Sequence, residues 1–336
     1  MNSVATRMRA AWFESFGPAR QVIRVGEQPR PQVGQGEVLV RLRTSGVNPS
    51  DVKKRAGSFP NLLDHGLVIP NSDGAGVIEA VGAGVDAGRV GERVWVYQAQ
   101  YGRRFGTAAE YVALDACRAV RLPDNSSFEV GACLGIPVMT AHRCVFADGP
   151  VAGQTLLVTG GAGRVGYYAI QWARAAGAKV IASASTPADD QLCRALGADQ
   201  VFNHREAGWG ERVKALNGGQ PVDRVIDVEF GANLPEVLQC IRIGGVIATY
   251  SSTQVPEPKL PFVRMMFMDL TLRLVIVYAM PEPAKRQAVE DITRALTQNQ
   301  LQHRIAHVLP LGELARANEL IEQRGFGGCV VVAIGA

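Results

Sequence analysis

The residues with the clearest chemical use are three glycines, Gly160, Gly163 and Gly166, spaced three apart in TLLVTGGAGRVGYYAIQWARAAGAKVIASAS. They stand where an apolar strand-like run gives way to a helical one. Gly160 permits a tight turn off the strand, Gly163 lets the backbone approach a pyrophosphate, and Gly166 lets helix and strand pack closely. A helix starting at Arg164 and Val165 would present unpaired N–H groups and a positive dipole end to phosphate oxygens. Glycines at this spacing in a bare loop signify little. Here strand, turn, helix and second strand follow in order, and we read a dinucleotide site. Arg164 either faces the phosphates or sits solvated on the first helical turn.

The end of the second strand bears on which dinucleotide. An NAD site usually carries Asp or Glu there, about 20 residues past the glycines, to take the ribose hydroxyls. This strand ends in Ser183, Ala184, Ser185 and Thr186, with no acid. Small hydroxyl residues leave room for a 2′-phosphate and can donate to it, which favours NADPH. Arg205, after the third strand, is either the counter-charge or a surface residue. Asp189 and Asp190 pull the other way.

These residues need a parallel sheet beneath them. From Thr155 onward, buried-strand runs alternate with helical patterns four times, ending in LTLRLVIVY (270–278) and a helix over 284–297. That is the signature of a doubly wound α/β domain. Residues up to about 127 read differently. Short strand runs (37–47, 74–82, 93–98) between frequent glycines predict an antiparallel, barrel-like β domain. The tail from IAHVLPL to GCVVVAI is strand-like again and is expected to rejoin it. We therefore divide the chain into a catalytic domain (1–127), a dinucleotide-binding domain (128–282) and a returning segment (283–336).

The bulk numbers agree with a soluble enzyme. The 336 residues are 47% hydrophobic and 20% charged, with a net charge of +4 that forms no basic run. Nucleic acid and anionic membranes are poor partners for such a chain. No apolar stretch reaches the roughly 18 residues of a membrane span, and the N-terminus shows no secretory signal. The six cysteines are scattered, as expected of isolated thiols in a reducing cytoplasm. His303 and His307 are four apart but have no third ligand nearby, so we expect no metal there.

The ordered series VNPSDVKKRAG, GAGVIEAVGAGV, GERV, GTAAEYV, GIPVMTAHR, VTGGAGRVG and VFNHRE resembles the medium-chain dehydrogenase/reductases. Within them it is similar to the zinc-free quinone oxidoreductases of the zeta-crystallin type, over nearly the whole chain. The resemblance implies a GroES-like catalytic domain and a Rossmann cofactor domain. The positions matching the catalytic zinc ligands of the family's alcohol dehydrogenases are Asn48, Ser72 and Ile136. An amide, a hydroxyl and an alkyl group do not make a zinc site. The stretch matching the structural-zinc lobe (96–107) has no cysteine. The resemblance further places Asn48 beside the nicotinamide with Asp51 and Lys53 nearby, and Thr140 facing the cofactor. It maps the 2′-phosphate site onto Ser185 and Arg205, with Arg324 from the tail. Two positions depart from the pattern: Asp189 stands where relatives have lysine, and His204 where they have tyrosine.

Without a metal or a Ser-His-Asp set, hydride transfer is the remaining chemistry. Quinones and enones, or acrylates, are flat acceptors that leave an oxygen anion needing only hydrogen-bond donors or a cation. Asn48, Lys53 and the cofactor ribose are the candidates. The other class that fits is an NADPH-binding protein with a structural or regulatory role and no turnover. The apolar run 270–278, with PFVRMMFM (261–268) before it, predicts a homodimer through the edge of the sheet.

Overall fold

The runs read as strands, glycine turns and helices become those elements, and their pairing sorts them into two bodies. The computed structural model describes residues 6–323 and 326–335. Its chain divides into one unit formed by Met1–Ile136 with Val289–Ala336 and a second formed by Pro137–Ala288.

Unit 1 begins with β1 (Arg7–Trp12), α1 (Ala19–Val22), β2 (Arg24–Pro29), β3 (Glu37–Val47) and α2 (Pro49–Arg55). There follow β4 (Asp73–Val81), β5 (Arg93–Val96), β6 (Tyr111–Asp115), β7 (Ala119–Arg121) and α3 (Phe128–Gly131). The sequence places the first boundary at 127/128, whereas the structural division falls after Ile136. The reason is that α3 packs on β3, β4 and β5.

Unit 2 runs α4 (Met139–Phe146), β8 (Thr155–Val158), α5 (Arg164–Ala175), β9 (Lys179–Ala184), α6 (Pro187–Ala195), β10 (Gln200–Asn203) and α7 (Trp209–Leu216). It continues with β11 (Val222–Asp227), α8 (Phe230–Cys240), β12 (Ile241–Thr249), α9 (Phe262–Phe267) and β13 (Thr271–Leu274). Helix α10 (Glu282–Thr297) leads out of unit 2, and β14 (Ile305–Pro310), α11 (Leu314–Glu322) and β15 (Cys329–Ala333) complete unit 1.

In unit 1 the strands of the tail join the main sheet, whose order is β14-β15-β3-β4-β5-β7, with β6 also on β3. The pairings are antiparallel except β14 with β15, which run parallel. β1 and β2 form a separate antiparallel pair. Unit 2 has a six-stranded parallel sheet ordered β10-β9-β8-β11-β12-β13. The order reverses between β8 and β11, the position where doubly wound sheets open a crevice for ligands. β8, β9 and β11 are buried along nearly their whole length, as strands covered on both faces must be.

One strand is shorter than its apolar run suggests. β13 stops at Leu274 because β12, its one neighbour, ends opposite it at Thr249. The segment 261–268 becomes the short helix α9, whose Met265 packs on the unit 2 core while Phe262, Val263, Met266 and Phe267 stay exposed. Among the described residues no helix is long and apolar enough to cross a membrane.

Candidate functional site

The glycine turn is fastened from below. Gly160 adopts φ +61°, the left-handed region that glycine enters without penalty. Its N–H donates to Ser183 Oγ at 2.8 Å, and the Gly161 N–H donates to the Ser183 carbonyl at 2.9 Å. The turn that leaves β8 is thereby tied to the end of β9. Helix α5 opens at Arg164 with Gly163 as its N-cap and no side-chain cap. A Cβ on Gly166 would lie 2.3 Å from the Gly160 carbonyl oxygen. What Gly166 permits, then, is contact between the helix and the turn itself rather than the strand. Arg164 and Val165 are half-buried on the first turn of α5.

The β9 end holds the residues read as a phosphate pocket. Ala184 of β9 pairs with Asn203 of β10, and the two strands run parallel. Ser185 and Arg205 therefore leave the sheet from neighbouring strand ends. Ser185 is half-buried, and Arg205 is exposed, its backbone N–H donating to Asn203 Oδ1 at 3.0 Å. Thr186 caps α6, accepting from the Asp189 N–H at 3.1 Å, and its hydroxyl is 2.9 Å from the Asp189 carboxylate. Asp189 is thus part of a helix cap, which gives a local reason for an acid at that position. Thr140 is buried in α4, and Arg324 lies outside the described residues. Across the switch point, Thr159 Oγ1 donates to Asp227 Oδ1 at 2.6 Å, and Asn233 donates to the same oxygen at 2.7 Å.

Unit 1 holds a buried polar knot. Helix α2 starts where its sequence says it should: Asn48 at the cap, Pro49 at the first position, Asp51 at the third and basic residues in the last turn. The Asn48 N–H donates to Asp51 Oδ2 at 2.9 Å. The Asn48 side-chain amide instead reaches Asp73 Oδ2 at 2.9 Å, and the Ile136 N–H donates to the same oxygen at 2.8 Å. Lys54 Nζ donates to Gln100 Oε1 at 2.7 Å, to the Gln100 carbonyl at 2.9 Å and to Ser72 Oγ at 3.5 Å. The segments that supply these groups are held in uncommon backbone shapes, with Asn71 at φ +74° and Gln98 at φ +56°. A Cβ on Gly135 would lie 2.1 Å from Asp73 Oδ1, so that position admits only glycine. The last residue of α2, buried Arg55, donates to the Gly17 carbonyl and pairs with Glu322 of α11, which braces the helix from its other end.

The knot carries two carboxyls and one ammonium. Burial pushes the Asp73 carboxyl up to about 8, with the Asp51 charge adding to the rise against the Ile136 and Asn48 hydrogen bonds and Lys54. Burial also raises Asp51, to about 6, opposed by Lys54 and by the hydrogen bonds from Asn48. Burial lowers Lys54. Of the two carboxyls, Asp73 is the more readily protonated, because the Asp51 charge raises it further while Lys54 and the Asn48 hydrogen bonds oppose the rise at Asp51.

The structure brings Asn48, Ser72 and Ile136 to one place, gathered around Asp73. It also places Asp51 there. Lys53 it does not: the inward face of α2 carries Asp51, Lys54 and Arg55, and Lys53 points to solvent. Lys54 is the lysine of the knot, and the available signal was its spacing of three from Asp51. Asp73 and Gln100 were not singled out by the sequence, and Ser183, read with the small residues that leave room for a 2′-phosphate, instead accepts from the Gly160 N–H. The three positions that match the family's zinc ligands offer an amide, a hydroxyl and a backbone N–H, with an ammonium among them, and these do not make a zinc site. Among the described residues no three His, Cys, Asp or Glu side chains gather into a metal-binding group.

Residues 165–294 match the family model of the zinc-binding dehydrogenases, and residues 34–124 that of the alcohol dehydrogenase GroES-like domain. The quinone oxidoreductase of Homo sapiens is 33% identical over 248 residues, 73% of this chain and 73% of that protein. The chain belongs to the medium-chain dehydrogenase/reductase superfamily. It is an oxidoreductase with quinone oxidoreductases among its relatives. Two solved structures resemble it over nearly its whole length. A mycobacterial protein complexed with NADPH shares 28% identity at a TM-score of 0.86, covering 97% of this chain and 100% of that one. An NAD-dependent alcohol dehydrogenase shares 29% identity at 0.85, covering 98% and 100%.

Proposed function

We propose that this medium-chain dehydrogenase/reductase uses NADPH to reduce quinones or other conjugated carbonyl compounds, without a metal. The observation that carries this reading is the filling of the family's zinc-ligand positions by a knot centred on Asp73 and Lys54. The quinone oxidoreductase relatives support the acceptor class, and the mycobacterial NADPH complex supports the cofactor. So does the acid-free end of β9, against the NAD-dependent relative.

The residues present fit a dinucleotide. The turn at Gly160, Gly163 and Gly166 offers backbone N–H groups to a pyrophosphate, and Ser185 with Arg205 offers a hydroxyl and a cation to a 2′-phosphate. Bound there, the cofactor supplies a hydride. A cleft of about 420 Å³ lies outside the ends of β12 and β13, lined by Phe230, Tyr250, Leu272, Leu274 and Val275 among others. Its apolar wall would suit a flat, conjugated group. Asn48 is assigned to the acceptor's carbonyl oxygen: one amide N–H is spent on Asp73 and the second remains to donate as negative charge builds. Lys54 balances the ionised Asp51 and so keeps the region neutral around that oxygen.

The test is an acceptor panel of quinones, enones and acrylates with NADPH and NADH side by side, before and after exhaustive chelation. Turnover of a quinone or enone that prefers NADPH and survives chelation is expected. Stoichiometric zinc in the active protein would overturn the metal-free reading. Tight NADPH binding with no acceptor turned over would favour the binding-protein reading instead.

We also propose that two copies pair through β13. It is one of the two edges of the unit 2 sheet, with Leu274 73% and nearby Phe267 76% exposed, and an apolar edge of that kind calls for cover. Light scattering is expected to give a dimer mass at micromolar concentration; a monomer mass refutes it.

A further inference from the structure

We propose that Asp73 is the positioning residue of the acceptor site: by gripping the Asn48 amide and the Ile136 N–H with one carboxyl oxygen, it fixes the direction of the second Asn48 N–H and so controls acceptor reduction. The inference rests on the reading of Asn48 given above.

An asparagine side chain turns about two bonds, and an amide meant to hold a developing oxyanion acts best when it is aimed beforehand. Asp73 can do the aiming because it is itself immobile. It is fully buried. Its Oδ2 is shared by two N–H donors, one from the α2 cap and one from the segment after α3. Its backbone carbonyl accepts from Thr107 Oγ1 at 2.6 Å, and Thr107 is in turn linked to Ser45 Oγ at 2.8 Å and through it to Asn71. The second carboxyl oxygen, Oδ1, is buried without a partner and faces Gly135.

Charge gives the clamp a direction. Asp51 and Lys54 face Asp73 from α2, and Cys133 faces it from the turn after α3, with its thiol raised well above the usual range. Tyr97, beside Gly135, carries its hydroxyl away to the Cys117 carbonyl. One ammonium cannot balance two buried carboxylates, so the second carboxyl stays neutral until the pH approaches about 8. Ionisation above that point adds a negative charge behind the amide that is meant to attract one. Reduction is then expected to slow on the alkaline side.

The experiment follows kcat with NADPH and 9,10-phenanthrenequinone from about pH 6 to about pH 10 in wild type, Asp73→Asn, Asp73→Ala and Asn48→Ala, with NADPH affinity by fluorescence and folding by circular dichroism. In Asp73→Asn the carboxamide oxygen can accept both N–H groups and never ionises. Its kcat near neutrality is expected within about threefold of wild type, and the alkaline fall is expected to vanish. In Asp73→Ala kcat is expected to fall by about tenfold or more with NADPH affinity unchanged. An alkaline limb that persists in Asp73→Asn overturns the inference, as does an undiminished kcat in folded Asp73→Ala. Where Asp73→Ala does not fold, the Asp73→Asn profile decides. An undiminished kcat in Asn48→Ala removes the reading of Asn48 itself; a loss there beside wild-type behaviour in both Asp73 variants removes Asp73 alone.

Discussion

In the glycine turn of unit 2 the groups proposed to meet a ligand are backbone amides, and the side chains contribute by being absent. In the polar knot of unit 1 most of the groups are side chains drawn from separate segments near 48–54, 72–73, 100 and 136, with the Asn48 and Ile136 N–H groups and the Gln100 carbonyl joining them from the backbone. The first is damaged by adding atoms, the second by removing them. That difference teaches where tolerance lies: the turn should accept changes in its flanking polar residues, whereas the knot should react to loss of any single member, since each partner left behind is buried.

Four measurements would break or sharpen this contrast. The largest loss of stability is expected from Lys54→Met, which strands the Asp51 carboxylate in a dry site. Removing one partner of a buried ion pair costs about 3–5 kcal/mol, and urea unfolding should show a loss of that order; a loss below about 1 kcal/mol would mean that Lys54 is not the balancing charge. Next, Gly166→Val should weaken dinucleotide binding by about 10–100-fold, because the new Cβ would collide with the Gly160 carbonyl. Fluorescence titration checks it, and undiminished affinity would show that the turn can move.

The third concerns pH. Asp73 titrates at about 8 in the folded chain against an ordinary value of 3.8. Between those limits the folded state holds a proton that the unfolded state has released, so this group's contribution to stability is complete below about pH 4 and is lost as pH rises to about 8. Asp73→Asn should therefore gain on wild type as pH rises, by up to about 1.4 kcal/mol per pH unit. Parallel stability curves would show that Asp73 is ionised throughout. The smallest effect is expected at Arg205, which is exposed. Arg205→Ala should weaken NADPH by about tenfold and leave NADH unchanged; an equal loss for both would make it a surface residue with no part in the phosphate pocket.

The same contrast explains what the sequence disclosed. The turn was legible because one contiguous stretch carries strand, glycines and helix, and each glycine has a backbone reason to be there. The sheet behind it was legible for the same cause, as buried runs recur with helices between them. The knot was half legible. Asn48, Ser72 and Ile136 came from resemblance, but Asp73, which joins two of them, stands between Ser72 and a glycine at the start of β4 and reads as a strand residue. Lys53 was preferred to Lys54 because neighbouring lysines on a short helix differ only in the face they occupy, and packing settles the face. The end of β13 was invisible because it depends on where its neighbour stops.

Unit 2 is one uninterrupted length of chain, while unit 1 is split around it, and β15, the last strand, sits between β14 and β3 in the sheet. On the ribosome, the parallel sheet can close before the residues that finish unit 1 have been made. The edge of β3 that awaits β15 stays bare through that interval, an open strand in a nascent chain. Synthesis of the roughly 280 residues between the end of β3 and the start of β15, at about 5–20 residues per second, would leave it so for tens of seconds. For this chain the most exposed moment is late translation, and a holding chaperone would find its target on β3.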